Sequence, residues 1–169
     1  MACLINVVLG NIVRQADCDA IVNSANPNLR AGSGVCGAIY RAAGPELEPC
    51  SIKFAPLGLG EAVVTPGFSL PNRLIVHVRG PKYLFDPEPA RHLVKAMTSV
   101  VEAAEREGVQ KIAVPAISMG VYRYPPEEAV PLLVTTAKAC AGRQCGLKEI
   151  RFVVLDADLA RLFQAAITD

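Results

Sequence analysis

At 169 residues the chain fits one domain, residues 1–169, large enough to bury a sizeable core. Hydrophobic residues make up 51%, yet no uninterrupted apolar run approaches the roughly 20 residues of a membrane span, and Asn6, Asn11 and Arg14 break up the start where a secretory leader would need an apolar stretch. A formal net charge of +1, no Lys/Arg cluster, and an aromatic complement of five Phe and four Tyr argue against membrane and nucleic-acid partners. A cytoplasmic location and a monomer are expected.

The first apolar, β-branched run, Leu4–Leu9, predicts a strand, and Ala20–Val22 predicts a second that feeds Asn23-Ser24-Ala25-Asn26. Gly32 to Gly44 then reads Gly-Ser-Gly-Val-Cys-Gly-Ala-Ile-Tyr-Arg-Ala-Ala-Gly, a glycine run flowing into a helix from about Gly34. Val35, Ala38, Ile39 and Ala42 supply its apolar stripe. Free amides and the positive dipole end at such a helix start suit a phosphate, and glycines let a ligand lie against the main chain. Gly32, Gly34 and Gly37 also spell G-x-G-x-x-G, but Asn23 to Ala31 separate them from the preceding strand. Leu57 and Gly58, about 20 residues on, offer no acid for a ribose, so a hydride-transferring dehydrogenase is set aside.

Further strands are predicted at Ala62–Thr65, Leu74–Val78, Lys111–Val114 and Glu149–Leu155. The second helix, about Ala90 to Glu107, is expected to bury Leu93, Val94, Met97, Val100, Val101 and Ala104 before stopping at Gly108. A third starts after Pro125, with Glu127 and Glu128 in its first turn and Pro131 placed awkwardly inside it. The fourth, from about Ala157, is expected to bury Leu159, Leu162, Phe163, Ala166 and Ile167. This alternation points to an α/β fold, a sandwich around a mixed sheet. The loop after Lys111–Val114, Pro115-Ala116-Ile117-Ser118-Met119-Gly120-Val121-Tyr122, is a second phosphate-sized loop at a strand end, so a cleft holding a diphosphate between the two loops is expected.

Cys3, Cys18, Cys36, Cys50, Cys140 and Cys145 form no C-x-x-C pair, and His77 and His92 stand apart. Reduced, mostly buried thiols and no bound metal or cofactor are expected. His77, in a predicted buried strand, reads as a satisfied core residue, and Asn23 as the cap of its turn through an Asx hydrogen bond. A reactive Cys36 would require the helix start to lower its pKa; the simpler expectation is a small residue facing ligand or core.

Four segments in order resemble one family. They are Gly10-Asn11-Ile12; Ala20 to Pro27 with Gly32 to Gly44; Gly60 to Gly67 followed by Ile75 to Pro81; and Pro115 to Tyr122. Together they resemble the macrodomain family over almost the whole chain. The resemblance implies a three-layer α/β/α sandwich around a mixed, mostly parallel sheet, and ADP-ribose or an ADP-ribosylated protein as the partner. By analogy, Asn11 and Ile12 would meet the adenine edge and Asp156 would lie near the adenosine. Amides of Gly32, Ser33, Gly34 and Val35, and of Ser118, Met119, Gly120, Val121 and Tyr122, would clasp the diphosphate, with Cys36 also at the ligand. The Tyr122 ring would pack along the distal ribose, while Asn26 would hydrogen-bond that ribose and, in a hydrolytic version, orient a water as the catalytic residue.

The chain departs from the family at four positions. Asn11 stands where many macrodomains carry aspartate, and Leu155 where several place an aromatic ring, changes expected to weaken adenine binding by one or two orders of magnitude. Cys36 replaces an aspartate of the hydrolysing branch and cannot act as a carboxylate base, and Arg123 stands where glycine often follows the aromatic residue. Three readings remain open: ADP-ribose binding with hydrolysis of an ADP-ribosyl ester, a non-catalytic ADP-ribose reader, and a scaffold with altered nucleotide specificity.

Overall fold

A computed structural model describes residues 2–143 and 146–169. Its six strands are β1 (Leu4–Leu9), β2 (Ala20–Ser24), β3 (Ala62–Pro66), β4 (Leu74–Val78), β5 (Lys111–Val114) and β6 (Glu149–Val154), in the order β1-β6-β5-β2-β4-β3. Every pairing is parallel except β3 with β4, which makes the sheet mixed and mostly parallel. The helices are α1 (Gly34–Ala43), α2 (Leu47–Ser51), α3 (Pro89–Arg106), α4 (Pro126–Ala141) and α5 (Ala157–Thr168).

Side-chain alternation along the strands builds the layers. Ala20 and Val22 of β2, Val76 and Val78 of β4, Ile112 and Val114 of β5, and Ile150, Phe152 and Val154 of β6 all join the core beneath α3, α4 and α5. The residues between them, Ile21, Ile75, Ala113 and Val153, face α1 with Ile39, Tyr40 and Leu47. On the wide side Phe152 stacks on Phe163 of α5 with ring centroids 4.7 Å apart.

Several helix faces differ from expectation. The buried residues of α1 are Cys36, Gly37, Ile39, Tyr40 and Ala43, so the face turned inward is rotated one residue from the Val35, Ala38, Ile39 and Ala42 stripe. The Cys36 thiol, outside that stripe, packs as a small hydrophobe. Val94 is exposed rather than buried, because it falls off the Leu93, Met97 and Val100 side of α3. In α5 only Phe163 is buried; Leu159, Leu162, Ala166 and Ile167 are half-covered, since the helix lies at the edge over β1 and β6. Pro131 does sit inside α4, and both it and Glu127 are exposed, where water can take the Glu127 carbonyl that proline leaves unpaired. Cys18, Cys36 and Cys140 are buried, Cys3 and Cys50 partly so; Cys145 lies outside the described residues.

Candidate functional site

A cleft of about 230 Å³ opens at the carboxyl ends of the neighbouring strands β2 and β5. Ser24, Asn26, Gly32, Ser33, Gly34, Val35 and Cys36 line it on the β2 side, and Ala116, Ser118, Gly120, Val121 and Tyr122 on the β5 side. The lining carries no carboxylate and no histidine among the described residues.

The β2 wall is main chain held in place from behind. Asn26 Oδ1 accepts from the Arg30 amide at 3.2 Å while its Nδ2 donates to the Arg30 carbonyl at 2.7 Å, closing the loop on itself. The Ala31 amide donates to Glu48 Oε2 at 2.9 Å, and the Leu29 carbonyl accepts from the Tyr40 and Ser51 hydroxyls. Gly37 lets this loop lie down on α1, because a Cβ there would run into the Gly32 carbonyl oxygen. Ser33 precedes the helix with no side-chain capping bond, and Gly34 enters at φ +58. The first amides of α1 are thereby left for whatever enters the cleft.

The β5 wall turns sharply at Ser118, a non-glycine residue at φ +67. It fits against Gly80, where a Cβ would strike the Ser118 hydroxyl, and its carbonyl accepts from the Tyr124 amide at 2.9 Å. The Ser118 Oγ is buried without a partner among the described residues. The Tyr122 carbonyl accepts from the Tyr83 amide at 3.0 Å, its ring lies beneath Lys82 Nζ at 5.5 Å, and burial pushes its phenol above the usual range.

Beneath the β2 wall runs a buried row of polar groups. Asn23 Nδ2 donates to His77 Nδ1 at 3.0 Å and lies 3.8 Å from Cys36 Sγ. His77 Nε2 stands 2.9 Å from Thr65 Oγ1, which itself donates to the Pro66 carbonyl. An amide nitrogen offers only protons, so His77 holds its proton on Nε2. His77 is thus the satisfied core residue its strand implied. Asn23 does not cap its turn: its side chain points across to β4 and α1 instead. Burial drives the Cys36 thiol above its ordinary pKa, opposite to what a nucleophile requires, and the thiol donates toward the Arg30 carbonyl at 3.5 Å.

The structure gathers Asn26, the Gly32–Cys36 segment, Ser118, Gly120, Val121 and Tyr122 into one cleft, but Asn11, Ile12, Met119 and Asp156 do not line it. Ile12 is buried in the core under α1, and Met119 packs partly covered against the core on the other face. Asn11 and Asp156 stand at the ends of the paired strands β1 and β6, where Gly10 N donates to the Val154 carbonyl at 2.8 Å. Each caps a turn, Asn11 by accepting from the Val13 amide and Asp156 from the Asp158 amide. Leu155 beside them is 79% exposed. Ser24 and Ala116 complete the cleft without any sequence signal beyond their place at strand ends.

A family model, Macro domain, matches residues 22–133. An O-acetyl-ADP-ribose deacetylase from Citrobacter rodentium is 40% identical over 169 residues, covering 97% of this chain and 95% of the relative. The Oceanobacillus iheyensis macrodomain with ADP matches with a TM-score of 0.89 at 31% identity over 96% of this chain and 88% of its own. A Trypanosoma brucei macrodomain in complex with ADP-ribose reaches 0.90 at 29% identity, covering 96% of this chain and 68% of its own.

Proposed function

The chain belongs to the Macro domain family, and on that premise we propose that its cleft binds ADP-ribose, free or attached to a protein. The observation that carries the reading is the pairing of an uncapped helix start with a second main-chain loop across one cleft, a cradle for a diphosphate. The strand order supports the rest. Asn26 follows β2, Ser118 to Tyr122 follow β5, Asp156 follows β6 and Asn11 follows β1, and these four strands are consecutive neighbours. Three strand spacings of about 4.8 Å give a track of about 14 Å, long enough for an elongated dinucleotide-like ligand. The distal ribose sits against Asn26, Gly32 and Tyr122, and the adenosine extends toward Asp156 and Asn11.

A second reading, hydrolysis of an acyl ester on the distal ribose, is favoured by the deacetylase relative. With no carboxylate in the cleft lining and a neutral Cys36, the proton of the attacking water would pass to a diphosphate oxygen of the ligand, with Asn26 orienting the water. The water oxygen bonds the acyl carbon, the bond from that carbon to the ribose oxygen breaks, the ribose oxygen takes the proton back from the diphosphate, and the amides steady the negative charge that builds up in between.

Calorimetric titration with ADP-ribose, with AMP, ADP and NAD as comparators, tests the binding. Saturable binding that prefers ADP-ribose and weakens about tenfold in Asn26→Ala is expected. No heat at millimolar ADP-ribose overturns it, and preference for another nucleotide points to a changed specificity. Release of acetate from O-acetyl-ADP-ribose then separates hydrolase from reader.

A further inference from the structure

Behind the β2 wall lies a second, more open hollow of about 390 Å³ that shares Gly32 with the first. Gly37 lines it too, and the Gly32 carbonyl lies so close to Gly37 that a Cβ there would strike it. Arg41 enters this hollow from the last turn of α1. Rather than reaching forward to the helix's final carbonyls, its guanidinium folds back one turn, with Nη1 3.2 Å from where a Gly37 Cβ would be. A Cβ at position 37 would crowd it. Arg41 makes no hydrogen bond or ion pair among the described residues, whereas Glu48 of the same hollow is engaged by the Ala31 amide at 2.9 Å and by Arg30 at 3.5 Å.

We infer that the Arg41 hollow is a subsite for a carboxylate of the polypeptide to which ADP-ribose is attached, one or two residues from the modified side chain. The inference rests on the ADP-ribose reading, which sets the distal ribose against Gly32, so that a polypeptide joined to that ribose leaves the cleft beside the shared wall. A guanidinium without an internal partner is there the group that receives an acidic side chain, through a forked pair of N–H bonds. The protein thereby reads the acidic context of the modification as well as the ADP-ribose.

The test compares three probes on the wild type, Arg41→Gln and Arg41→Lys: free ADP-ribose, a mono-ADP-ribosylated peptide with flanking glutamates, and its twin with flanking glutamines. Free ADP-ribose should bind wild type and Arg41→Gln alike. The acidic peptide should bind the wild type about fivefold more tightly than its twin, an advantage that shrinks as salt rises. Arg41→Gln should abolish the advantage, and Arg41→Lys should restore part of it. Equal affinity of the two peptides for the wild type, or an advantage that survives in Arg41→Gln, overturns the subsite while leaving the ADP-ribose reading intact. Failure of free ADP-ribose to bind the wild type overturns both.

Discussion

His77 is wholly buried between Asn23 and Thr65, and burial pushes its pKa down to about 4 from an ordinary 6.5. Between those values the unfolded chain takes up a proton that the folded chain refuses, so this contribution to stability is full above pH 6.5 and is lost as pH falls toward 4. Denaturant midpoints taken from pH 7 to pH 4.5 should therefore fall, by an amount of order 2–3 kcal/mol in unfolding free energy. His77→Asn should be less stable at pH 7 yet respond less steeply to acid; an unchanged slope would remove His77 as the cause. The residue's burial is legible in its strand, but its partners are not. Asn23 and Thr65 are remote from His77 in sequence, and only the parallel register of β2 with β4 and the antiparallel register of β3 with β4 bring all three together. For the same reason the sequence favoured a local cap for Asn23 over a bond across the sheet.

At the scale of elements, the strands are the most legible part of the chain. Leu4–Leu9, Leu74–Val78 and Lys111–Val114 keep the limits their apolar runs set; Arg73 and Arg79 bound the second, and Gln110 and Pro115 the third. Glu149–Val154 stops one residue short of the expected end and leaves Leu155 to solvent. Four helices are visible in periodicity; α2 is not, because five residues do not complete two turns. Its contribution lies instead in Ser51, whose hydroxyl stands 2.8 Å from that of Tyr40 beneath the Leu29 carbonyl. The helix α1 offers a sharp test, since propensity and packing disagree there. Alanine in place of a mid-helix glycine ordinarily adds about 1 kcal/mol of stability. Gly37→Ala instead places a methyl group in the Gly32 carbonyl, so the variant should melt at a lower temperature than the wild type and bind ADP-ribose at least tenfold more weakly. A higher melting temperature with unchanged binding would show that the loop yields freely.

Across the whole molecule, two cores of unequal size sandwich the sheet, and α5 completes the larger one with a single fully buried side chain, Phe163. Phe163→Ala removes its stack on Phe152 and should cost about 3–5 kcal/mol, measured by chemical denaturation, with the cleft on the far strands keeping its ligand affinity wherever the variant is folded. The α/β sandwich and the position of the two loops follow from strand and helix alternation, because ligand clefts of parallel sheets form at the carboxyl ends of strands; the three layers come from the family resemblance. The second hollow could not be anticipated, since it depends on how closely Gly32 and Gly37 approach in space. The cleft walls have one practical consequence. They present main chain and glycine, surfaces that related proteins of the same backbone path share even where their side chains diverge. An inhibitor anchored on those amides would be indiscriminate across the family. Selectivity for this protein has to be drawn from side chains outside that cradle, such as the exposed Leu155 and the left-handed Arg123.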